Sequence, residues 1–99
     1  MPTKSELESA FDAAIAQTRV RTETGMKTAA GDDARPQLEK LQQELVSERK
    51  NAVATGNINK DWLQKTVRWV ADWAPDADLT LIAALGRIAR AAPGPRPRA

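Results

Sequence analysis

The carboxylates are the first side chains to weigh for chemistry. Asp32 and Asp33 are adjacent, and Asp76 and Asp78 are close together with Asp72 nearby. Paired carboxylates can divide acid and base roles, or hold Mg²⁺ or Ca²⁺. Both groups, however, stand just ahead of segments with helical periodicity, where an aspartate caps the free N–H groups of a first turn. No EF-hand spacing and no glycine-rich phosphate loop occurs. The chain has no His, Cys or Tyr. It therefore lacks the commonest general base, the commonest transition-metal ligand, the usual pH switch and any thiolate. The remaining Asp, Glu, Lys, Ser, Thr and Arg offer no recognisable nucleophile–base pair. The expectation is a non-catalytic protein with no cofactor, no metal and no small-molecule substrate.

Binding chemistry is better represented. Trp62, Trp69 and Trp73 fall within twelve residues of a chain whose only other aromatic is Phe11. At about 100° per residue they lie within about 40° of one another on a helix. Such a stripe is either the keel of a small core or a docking face for a partner, since Trp dominates both cores and interface hot spots. Basic residues form the second set. Residues 1–34 carry four bases against six acids, while Arg87, Arg90, Arg96 and Arg98 end the chain with no acid among them. The formal charge is only +2, but the pI of about 9.3 and this basic end admit a phosphate-binding reading. A helix-turn-helix can be drawn across Gly56-Asn57-Ile58-Asn59, with Lys60, Gln64, Lys65 and Arg68 facing a groove.

Four helical segments must position these groups. Thr3 or Ser5 opens the first, each with Glu three residues on, in the capping-box pattern. Leu7, Phe11, Ala14, Ile15 and Thr18 recur at helical spacing. Thr18 to Thr24 alternates like a polar strand. A lone strand would have no partner, so the helix is expected to continue toward Met26 and Ala30, fraying at Gly25. Gly31-Asp32-Asp33 reads as a stop and a new N-cap. The second helix starts near Arg35-Pro36 and places Leu38, Leu41, Leu45 and Ala52 on one stripe, widened by Val46 and Val53. Gly56 ends it.

Asn59 is a strong N-cap for the third helix, with Ile58 and Leu63 at the positions of a hydrophobic staple. This helix runs to about Ala74, where Pro75 stops it. Its apolar arc holds the three tryptophans with Leu63, Val67, Val70 and Ala74. Lys65, Arg68, Asp61 and Asp72 lie opposite. Asp76 or Asp78 caps a short fourth helix, with Leu81, Ile82, Leu85, Ile88 and Ala89 on its buried stripe. Residues 93–99, rich in Pro and Arg, read as a flexible tail or linker after a single domain of 1–92.

The expected fold is all-α: a three- or four-helix up-down bundle built on a long N-terminal hairpin. Helices three and four fold back over that hairpin, with Trp69 central and Trp62 exposed. Two hairpins completing a four-helix bundle as a homodimer is a second arrangement the spacing allows. No apolar run reaches the roughly 20 residues of a membrane span, and the N-terminus lacks a secretory h-region. The expected setting is the cytoplasm, and the Ala-rich, Arg-over-Lys usage is typical of GC-rich bacteria and their phages. The expected function is a protein–protein interaction module, an adaptor, regulator or accessory subunit. Its partner is another protein or itself, met through Trp62, Trp69, Trp73, Lys65, Arg68, Arg87 and Arg90. The alternative is a nucleic-acid-binding regulator using the same basic residues together with Lys60. No membrane partner is expected.

Overall fold

A computed structural model describes residues 4–75 and 78–91. Four helices account for most of them: α1 (Lys4–Thr24), α2 (Arg35–Thr55), α3 (Lys60–Trp73) and α4 (Leu79–Ala91). The small all-α bundle expected from the periodicity is the observed fold. The proposed capping residue Thr3, Asp76 and the 92–99 segment lie outside the described residues.

Cross-helix pairs give the order of the bundle. Arg49 of α2 reaches Asp12 of α1 at 2.8 Å, and Arg87 of α4 reaches Ser9 of α1 at 3.4 Å. Arg21, near the other end of α1, meets Asp78 at the head of α4. Along α2, Glu44 meets Trp62 and Lys40 meets Trp69. Each neighbouring pair of helices thus runs antiparallel, and the four close into a ring. The α1–α2, α1–α4 and α3–α4 seams are close-packed, whereas the backbones of α2 and α3 stand further apart. Leu7, Phe11, Leu38, Leu41, Leu45, Val70, Leu81, Leu85 and Ile88 fill the centre and are fully buried. These are the periodic apolar positions, and their removal from water is the main force holding the ring together.

Two stripes are narrower than their spacing suggests. Val46 is 50% exposed on the outside of α2, and Ala89 is exposed on α4. A helix in a ring of four shows its neighbours only part of its surface, so the outlying positions of a wide stripe fall outside. Likewise α1 ends at Thr24, not near Ala30. Gly25 takes φ +82° and its N–H donates to the Arg21 carbonyl at 3.0 Å, which terminates the helix. The threonines that looked like a strand are helical, and their hydroxyls are satisfied within their own helix: Thr18 Oγ1 donates to the Ile15 carbonyl at 2.7 Å, and Thr22 Oγ1 to the Thr18 carbonyl at 2.8 Å.

The α1–α2 connection is tightly folded. Lys27 and Asp33 form an isolated antiparallel bridge, and Thr28 N–H donates to the Asp32 carbonyl at 2.7 Å. Ala34, not an aspartate, occupies the N-cap position of α2 and makes no side-chain cap. Asp33 Oδ1 instead accepts the Arg35 N–H at 2.9 Å. From this loop Ala29 N–H reaches across the molecule to the carbonyl of Trp73 at 2.8 Å, satisfying an acceptor in the last turn of α3.

The head of α4 is held to α1 by charge. Arg21 grips Asp78 with two hydrogen bonds, Nε to Oδ2 at 2.7 Å and Nη2 to Oδ1 at 2.9 Å. Asp78 Oδ1 also accepts the Leu81 N–H at 3.2 Å, so the same carboxylate caps α4. The Arg21 hydrogen bonds, with help from the α4 amides and the guanidinium charge, hold the Asp78 carboxyl below the usual carboxylate range. A lowered folded-state pKa stabilises the fold above the ordinary value and loses that contribution as the pH falls through the lowered one. Asp78→Asn is expected to cost about 1–3 kcal/mol in urea unfolding at neutral pH, since it removes a charged hydrogen-bonded pair. The difference between variant and wild type should shrink as the pH falls below about 4. A gap that stays constant into acid would show that the charge of Asp78 does not hold the turn.

Candidate functional site

Helix α3 carries the residues of interest on two flanks. Asn59 begins it as expected: its side chain accepts the Trp62 N–H at 3.0 Å. From that start the stripe of indoles faces α2. Trp62 Nε1 donates to Glu44 Oε1 at 2.8 Å. Lys40 Nζ stands 5.0 Å from the Trp69 ring centre, where a cation is attracted by the ring face. Trp69 and Trp73 meet edge to face with centroids 5.3 Å apart. Trp73 is the buried indole at 9% exposure, while Trp62 and Trp69 are both half-buried. The expectation of a central Trp69 is therefore corrected by one turn. The end of α3 is the part tied down, by the Ala29 hydrogen bond.

This packing leaves two buried polar atoms without partners, Trp73 Nε1 and Gln37 Oε1. The order of pairs along the seam, Glu44 with Trp62 and Lys40 with Trp69, brings Gln37 to the level of Trp73 when carried one step further. Farther up α2, burial, and after it the nearby Glu44 carboxylate, push the Glu48 carboxyl above its usual range.

The other flank of α3 faces a groove shared with α4. It holds about 440 Å³. Leu63 and Val67 line it from α3, and Leu85, Gly86 and Ala89 from α4, with Gln64 and Arg68 along its rim. Gly86 has no positive φ, and a Cβ there would meet only Arg90 Nη1, at 3.6 Å. The backbone does not require glycine here, and the missing side chain opens the floor of the groove. The same distance places the Arg90 guanidinium over Gly86. Arg68 and Arg90 are both exposed, and neither has an ion pair or hydrogen bond among the described residues.

The expected binding residues thus divide. Arg68 lines the groove, and Arg90 lies beside Gly86. Trp62 and Trp69 point to the opposite flank and meet α2, and Trp73 packs edge to face on Trp69. Lys65 is exposed and pairs with Asp61 at 3.1 Å, and Arg87 turns toward Ser9. Arg96 and Arg98 lie outside the described residues. Helices α2 and α3, which flank the Gly56–Asn59 connector, meet through the Glu44–Trp62 and Lys40–Trp69 pairs. Among the described residues no group of three or more acids gathers in a metal-holding cluster, and no helix is long and apolar enough to cross a membrane. No family model, curated protein or solved structure matches the chain.

Substitutions at two positions check this geometry. Trp73→Phe keeps an aromatic ring and deletes the unpaired donor, whose burial costs about 1–3 kcal/mol. It should stay within about 1 kcal/mol of wild type, while Trp73→Ala should lose about 3–5 kcal/mol. Gly86→Ala should raise stability by up to about 1 kcal/mol through helix propensity alone. Thermal or urea unfolding of the three variants reads both. A destabilised Gly86→Ala would mean that the groove is closed against α4.

Proposed function

We propose that this chain is a small non-catalytic interaction module that docks a partner protein through the outer edge of α3 and α4. The observation that carries the reading is the groove itself. Apolar side chains line it, a glycine without a backbone requirement keeps it open, and two arginines without partners among the described residues stand beside it. The indole flank of the same helix supports the docking edge from behind, by filling the space between α3 and α2. A cytoplasmic setting is proposed with it, in keeping with a chain that uses no cysteine.

Site-specific photocrosslinking in the host cell tests the reading. A benzophenone side chain at Val67 lies in the groove, and one at Val46 lies on the outside of α2. The expected result is a discrete protein adduct from position 67 that is absent from position 46. A nucleic-acid adduct at 67 would replace this reading with the nucleic-acid one. That reading also requires duplex affinity to fall with salt at a log–log slope of about −0.9 for each phosphate contacted.

A further inference from the structure

We infer that the occupant of the α3–α4 groove is an acidic amphipathic helix of a partner protein. This rests on the docking reading above and adds the chemistry of the partner.

The shape of the groove sets the first half of the inference. Leu63 and Val67 are one turn apart on α3, and Leu85 and Ala89 one turn apart on α4. Two antiparallel ridges with a gap at Gly86 between them accept a third ridge of side chains spaced at i and i+4. An incoming helix presents that spacing, with each anchor about 6 Å from the next along its axis. The phosphate backbone of a nucleic acid has no apolar ridge to fill such a floor.

Charge sets the second half. Helix α4 contains Arg87 and Arg90 and no acid at all. Arg90 Nη1 lies 3.6 Å from where a Gly86 Cβ would stand, and Arg68 lines the groove from α3. Of the nearby acids on α3, Asp61 is taken by Lys65, and Asp72 makes no ion pair with Arg68 although it lies one turn away. The rim is therefore cationic on both sides of an apolar floor. Its complement is a helix with an apolar stripe one or two residues wide, flanked by Glu or Asp.

Labelled helical peptides of about five turns test this by fluorescence anisotropy, with the full chain as receptor. The peptides share one leucine stripe and differ only in whether Glu, Gln or Lys flanks it. The Glu peptide is expected to bind best. Joint Arg68→Glu and Arg90→Glu substitution should weaken it about tenfold or more and transfer preference to the Lys peptide. Gly86→Leu, which fills the floor from an open position, should abolish binding of every peptide while circular dichroism and unfolding stay near wild type. If all three peptides bind alike, if none binds, or if Gly86→Leu leaves binding intact, the acidic-helix assignment is wrong. Self-association of the chain that Gly86→Leu removes would overturn it in favour of a second copy. Crosslinking at Val67 separates the two levels. A protein adduct there with no peptide preference removes only the acidic-helix assignment. A nucleic-acid adduct, or none, removes the docking reading as well.

Discussion

The bundle depends on how the gap between α2 and α3 is filled. Three of its four seams bring backbones close together through Leu, Ile, Val and Ala. The fourth is wider and needs larger side chains. A chain with a single Phe and no Tyr has put all its tryptophans there. The indoles are held from the α2 side by a carboxylate and an ammonium, Glu44 and Lys40, which also pair with each other at 3.8 Å. The apolar bulk of the rings closes the core while their polar edges and faces meet charged heads at the rim. The arrangement has a cost, visible in the unpaired Nε1 of Trp73.

Closing one flank of α3 with indoles leaves the other flank free of that duty. The α4 side is lined with small residues, Gly86 and Ala89, and the groove survives because nothing large projects into it. The indole flank and the groove flank are thus separated on a single 14-residue helix. The charge clasp works at a different place. Arg21 and Asp78 fix where α4 begins relative to α1.

Much of this was legible in the sequence, for local reasons. The apolar periodicity of Leu38, Leu41 and Leu45, the capping by Asn59, and the stop signals Gly56 and Pro75 act within a few residues of themselves, and each appears in the structure as read. The end of α1 was misplaced because Gly25 and Gly31 carry similar signals, and only the hydrogen bonds of the loop favour the first. The half-exposed Val46 and exposed Ala89 reflect the number of neighbours around a helix, which periodicity does not encode. The groove was invisible for the same reason: Leu63 with Val67 and Leu85 with Ala89 read as two separate stripes until α3 and α4 lie side by side. One clue was available. A lone glycine inside the apolar run of α4, with no turn nearby, marks a place where a side chain is better absent.

Placing every tryptophan in one seam has an optical consequence. All the indole emission arises from one stripe of α3, which meets α2 through Trp62 and Trp69. Emission colour and quenching therefore report whether that single seam is dry or wet, while far-ultraviolet dichroism reports the helices as a whole. A rotation of α3 away from α2 would change the first signal and leave the second alone, so the molecule carries a built-in gauge for the element that bears its groove.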